Sequence, residues 1–90
     1  MKADEDLRRR FGETLRRRRK AIGIGQEKLA HKANVHRTHV SLLERGERLP
    51  SLMMIKKLAG ALDTTMSKLI EDLERLEKEE EGTKKKSKSG

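Results

Sequence analysis

The chain has no cysteine, tryptophan or tyrosine, a single phenylalanine, Phe11, and a single proline, Pro50. Without cysteine there is no disulfide framework and no thiolate metal site, and nothing demands an oxidising compartment. Long apolar runs are missing too. No stretch approaches the roughly 20 apolar residues of a membrane-spanning helix, and Met1 to Arg10 holds acids and arginines with no apolar stretch of the secretory kind. A soluble, cytoplasmic protein is the expectation. Runs of alternating β-branched residues are also absent, so no strand signal competes with helix. Ninety residues with 32% hydrophobic content bound one compact domain with a modest core, too small to enclose an enzyme-sized cavity.

What the chain has in abundance is charge: 42% of its residues, with a net +8. Its distribution is uneven. Residues 1–25 carry a net +5 and residues 26–50 a net +2, residues 51–81 carry −3, and residues 82–90 carry +4. A basic front half suits a polyanionic partner, because lysines and arginines that neutralise phosphates release condensed counterions. It equally suits a solvated surface, so charge alone does not choose.

Apolar spacing divides the chain into five helices. Leu7, Phe11, Leu15 and Ile22 recur at steps of four, four and seven and define the first, which Gly23 and Gly25 end. Gln26 to Ala30 restarts a short second helix, interrupted at Asn34, a residue that tolerates the left-handed conformation. A third runs from about Arg37 to Arg45, with Val40 and Leu43 inward and Gly46 as its stop. After Leu49-Pro50, Ser51 caps a fourth helix carrying Leu52, Ile55, Leu58, Ala59 and Leu62; Thr65 caps a fifth carrying Met66, Leu69, Ile70, Leu73 and Leu76. Residues 1–6 are expected to be flexible, 7–77 to form the domain, and 78–90 to be a disordered charged tail.

Helix two, a tight turn and helix three together form a helix-turn-helix. Gln26, Glu27, Leu29, Ala30, Val35, Val40, Leu43, Glu44, Arg45 and Gly46, followed by Pro50, Ser51 and the Leu52 to Leu62 periodicity, resemble the Cro/repressor-type, XRE-like helix-turn-helix family over roughly Phe11 to Asp72. The resemblance implies an all-α five-helix bundle of the lambda-repressor-like class, binding double-stranded DNA. The run Arg37-Thr38-His39-Val40-Ser41 is particularly similar to restriction-modification controller proteins. With Val40 and Leu43 inside, Arg37, Thr38, Ser41, Leu42 and Arg45 form the outward stripe. Arg37 at the start of the helix is suited to grip guanine O6 and N7, Thr38 and Ser41 to reach a base edge or a phosphate, and Leu42 to cover a thymine methyl. Arg45, Arg48 and Ser51 are expected at phosphates. The family likeness places Gln26 at a phosphate as well, at the free N–H groups of helix two, and sets Arg19 beside Glu44 as a structural ion pair.

A motif of this kind usually works as a two-fold dimer on half-sites about 34 Å apart. Leu69, Leu73 and Leu76 form the stripe expected at the dimer interface; alternatively they complete the monomer core. The leading expectation is a transcriptional regulator, a repressor or autoregulator, binding a palindromic operator as a homodimer. An antitoxin and a non-catalytic module docking on RNA or acidic proteins are the alternatives. No enzyme is expected. Ser41 has no plausible catalytic partner, and Gly23-Ile24-Gly25 follows a helix and is too short to cradle phosphate. His31, His36 and His39 lack companions that would complete a metal set, so neither metal nor cofactor nor small-molecule ligand is expected.

Overall fold

The computed structural model describes the backbone of residues 2–89 and the side chains of residues 3–82. Five helices follow one another: α1 (Lys2–Ala21), α2 (Gln26–Ala33), α3 (Arg37–Glu44), α4 (Leu52–Ala61) and α5 (Met66–Ser89). Among the described residues there is no strand.

Four of the five helices end the same way. Gly23, Asn34, Gly46 and Asp63 each adopt positive φ, between 56° and 74°. The two N–H groups at each end turn back on the last turn: Ile24 on Arg19 and Gly23 on Lys20, Val35 on Ala30 and Asn34 on His31, Glu47 on Leu42 and Gly46 on Leu43, Thr64 on Ala59 and Asp63 on Gly60. This pattern satisfies carbonyls that a helix end would otherwise leave open. At the opposite ends, Ser51 Oγ accepts from the Met54 N–H at 3.1 Å and Thr65 Oγ1 from the Lys68 N–H at 3.1 Å. Gly25 and His36 begin α2 and α3 without a side-chain cap.

The helices close around one core. α3 packs on α1 and α2, α4 on α2 and α5, and α1 lies along α5. Phe11, Leu15, Leu29, Val40, Leu43, Leu58 and Leu62 are all buried, each large side chain contributing about 1.5–3 kcal/mol of transfer free energy.

Several expectations change at the periphery. Leu7 and Ile22, spaced as core positions, are exposed, and the inner face of α1 instead uses Thr14, whose hydroxyl donates to the Arg10 carbonyl at 2.8 Å. Leu52 is not in the core either: it is 75% exposed in the first turn of α4. The segment expected to be a flexible N-terminus is helical from residue 2, with Asp4 and Glu5 in the first turn, where carboxylates complement the positive end of the helix dipole; Met1 lies outside the described residues. Residues 78–82, expected in a disordered tail, continue α5, because Glu77 and Glu80 meet Arg10 on α1. For the rest of that tail, residues 83–90, no side chain is among the described residues.

Leu69, Leu73 and Leu76 correct the expected dimer surface. They are 0, 8 and 4% exposed within a single chain, so the stripe seals α5 to its own core. Spacings of four and three fit a core seam as well as an interface, and the length of α1 decides between them, because it gives α5 a helix to lie against.

Candidate nucleic-acid interface

Val40 and Leu43 anchor α3 to the core, and this fixes which face turns outward. Arg37, Thr38, Ser41 and Arg45 line one shallow concavity on that face. Four of the five residues of the expected stripe thus come together. Leu42 does not line the concavity, and it is half-buried.

Behind α3 lies a charged brace. The Arg19 guanidinium donates from Nε to Glu44 Oε2 at 2.6 Å and from Nη2 to Glu44 Oε1 at 2.9 Å. Its third donor, Nη1, reaches the Ile24 carbonyl at 2.8 Å. Gln26 completes the set, donating from Nε2 to Glu44 Oε1 at 3.0 Å. The side chains of Arg19 and Glu44 are only 11 and 3% exposed, and a fork-on-fork pair suits so dry a place because every charge has a directed partner. Hydrogen bonding to Glu44 pushes the Arg19 guanidinium above its ordinary value, against the smaller opposing effect of burial. One carboxylate therefore ties α1, the turn after it, α2 and α3 together. Gln26, expected at a phosphate, has its amide engaged in this brace.

Gly12 lets the brace form. A methyl group there would collide with the Leu43 carbonyl oxygen and stand 2.6 Å from that of Glu44, so α1 crosses the end of α3 backbone against backbone. The sequence carries one weak signal of this, a glycine within a helical pattern, which costs about 1 kcal/mol relative to alanine; Gly60 in α4 gives the same signal with open space beside it.

The residues expected at phosphates sit around the turn after α3. Arg45 donates from Nη1 to Ser41 Oγ at 2.6 Å and from Nε to Glu47 Oε2 at 2.7 Å. Glu47 was missed in the sequence; its place two residues from Arg45 across Gly46 is the signal. Arg48 and Ser51 line a second concavity with His39, Leu49, Pro50 and Met54. The Ser51 oxygen accepts in the α4 cap, but its hydroxyl proton remains free to donate.

Three large apolar side chains stand exposed beside this surface: Leu49 in the turn, and Leu52 and Met53, the latter 62% exposed, in the first turn of α4. Elsewhere among the described residues, no three histidine, cysteine or acidic side chains group as a metal set and no helix is long and apolar enough to cross a membrane.

Comparison with known proteins agrees with this geometry. Residues 15–69 match the helix-turn-helix family. Control protein C.MunI of a Mycoplasma species is 35% identical over 71 residues, covering 78% of this chain and 96% of its own length. The restriction-modification controller protein C.AhdI of Aeromonas hydrophila is 45% identical in sequence, with a TM-score of 0.67 over 71% of this chain and 96% of that one. The clp gene regulator ClgR of Corynebacterium glutamicum, at 22% identity, shares the fold, with a TM-score of 0.84 over 92% of this chain and 88% of its own. On the matched stretch, the braced α3 and these relatives together, the chain belongs to the helix-turn-helix family, in its Cro/repressor (XRE) type.

Proposed function

We propose that this chain is a sequence-specific, DNA-binding transcriptional regulator that controls a restriction-modification operon and binds a palindromic operator as a homodimer. The observation that carries the reading is α3 itself: a polar outer face of Arg37, Thr38, Ser41 and Arg45 on a helix held rigid by the Arg19–Glu44–Gln26 brace. A rigid helix can hold side chains to the fixed spacing of base edges in the major groove. Arg37 grips guanine O6 and N7, and Thr38 and Ser41 meet the neighbouring bases. Leu42, half-covered, touches a thymine methyl at the edge. Arg45, Arg48, Ser51 and the N–H groups at the start of α2, next to Gln26, meet phosphates and set the register. Arg45 leaves Glu47 for a phosphate at small cost, because an exposed ion pair is worth about 0–1 kcal/mol. The function requires no catalysis and no cofactor.

The second copy docks through Leu49, Leu52 and Met53. These side chains are exposed in the monomer and follow the reading helix directly in the chain, so a two-fold axis there sets two α3 helices side by side. The alternative, in which the basic α1 and the lysine tail dock on RNA or acidic proteins, would have to break the pairs that Arg9, Arg10, Arg17 and Arg18 make with carboxylates of the same chain.

Selection of binding sites from a random duplex pool tests the proposal. A two-fold symmetric consensus with half-sites about one helical turn apart is expected. A pool that yields no consensus overturns it.

A further inference from the structure

A cluster of charge on the flank of α3 has no part in the core or in the proposed contacts. Glu80, on α5, sits between two arginines of α1. Arg9 donates to it from Nη1 at 3.0 Å and from Nη2 at 2.9 Å, and Arg10 from Nε at 2.8 Å. Glu77 stands 3.6 Å from Arg10. All four residues lie outside the stretch 15–69 that matches the helix-turn-helix family.

Its position gives it meaning. Arg8 donates from Nε to the Gly46 carbonyl at 3.3 Å, and a methyl group on Gly46 would stand 3.0 Å from the Arg9 Cα. Arg9 therefore leaves α1 directly beside the turn that carries Arg45, Glu47 and Arg48. Arg17 and Arg18 begin eight residues further along α1, about 12 Å away at 1.5 Å per residue, where they pair with Glu13 and Asp72. Arg9 is the exposed member of the cluster, and both of its terminal nitrogens that could meet a phosphate are turned to Glu80.

We propose that Glu80 sets how tightly the chain holds DNA without touching it: by holding Arg9, with Arg10, on α5, it withholds an arginine from the DNA backbone beside the reading helix. Phosphate contacts raise affinity for every duplex alike, and base contacts raise it for one. Withholding an arginine therefore lowers binding to operator and random DNA alike, and leaves the preference between them to Arg37, Thr38 and Ser41. The Glu47 pair with Arg45 is different, a single exposed hydrogen bond that gives way to phosphate, whereas Glu80 accepts from both terminal nitrogens of Arg9 and from Arg10. The inference rests on the DNA-binding reading above.

The test uses the full chain, a selected operator and a random duplex of the same length, titrated across salt. Glu80→Gln is expected to bind random duplex several-fold more tightly. The plot of log affinity against log salt should steepen by about 0.9 for each phosphate gained, for operator and random duplex alike, with the preference for operator unchanged. Adding Arg9→Gln to Glu80→Gln should return the slope to that of the parent. Arg9→Gln alone should leave the slope unchanged, because in the parent this arginine is already withheld; that arm holds even if Glu80→Gln proves too unstable to assay. A flatter slope for Arg9→Gln alone, or an unchanged slope for a folded Glu80→Gln, overturns the inference while operator binding stands. Failure of the parent chain to bind any duplex overturns both readings together.

Discussion

At Arg19 two large opposing effects meet. Removing a guanidinium and a carboxylate from water is costly, and only partners in directed geometry return that cost. Arg19 has three such partners in Glu44 Oε1, Glu44 Oε2 and the Ile24 carbonyl, so the pair stands or falls as a unit. Arg19→Ala leaves Glu44 buried with only Gln26 and is expected to cost about 3–5 kcal/mol, read as a lower thermal midpoint and a lower urea midpoint. Glu47, exposed, offers the contrast: losing its pair with Arg45 should change stability by no more than about 1 kcal/mol. For the DNA-facing side chains the measurable quantity is selectivity. Arg37→Ala should cost about 1–3 kcal/mol at one base position and relax the preference there. Arg48→Ala should weaken operator and random duplex alike and flatten the salt dependence. Competition binding against single-base operator variants separates the two.

Among the elements, α1 departs furthest from its reading in the sequence, and the reason is physical. Apolar periodicity reports the core-facing stripe, so Phe11 and Leu15 were legible. It is silent about faces satisfied by charge, and Arg19, Arg10 and Arg18 are paired on such faces. The same limit explains α5, where Glu80 continues a helix that the apolar pattern closes near Leu76. Helix ends were more legible. Gly23, Asn34 and Gly46 are each legible as residues suited to a helix stop, whereas the left-handed turn at Asp63 shows only in the structure, where the Thr64 N–H returns to Ala59. In the candidate site, Arg37, Thr38, Ser41 and Arg45 followed from the burial of Val40 and Leu43. Gln26 and Glu47 did not, because their partners come from a different element or an irregular turn. Gly12 sets the distance between α1 and α3 through backbone alone. Gly12→Ala should push the two apart, losing at least the 1–3 kcal/mol typical of overpacking and weakening operator binding with it; a crystal structure or the thermal midpoint would report the shift.

For the whole molecule, the two apolar sets on α4 and α5 make opposite predictions. Replacing Leu52 and Met53 together by glutamate should leave a folded monomer whose thermal midpoint no longer rises with protein concentration, as a dimer's must. Leu73→Ala should lower the midpoint at every concentration, by about 2–5 kcal/mol of core stability. Acid adds a third probe. Hydrogen bonds from Arg9, then from Arg10, hold the Glu80 carboxyl well below its ordinary value, at about 2. A group depressed in the folded state contributes its full stability above its unfolded value and loses it as pH falls through the folded one. The thermal midpoint of the parent should therefore drop from about pH 5 towards pH 2 more steeply than that of Glu80→Gln. Those same contacts join residues 71 positions apart in the chain, and α1 lies along the last helix. During synthesis α1 can meet α3 once the latter has emerged, but its other flank, against α5, closes only when the last helix leaves the ribosome. A message broken before Leu69 would therefore yield a chain whose first helix has one flank bare, open to proteases.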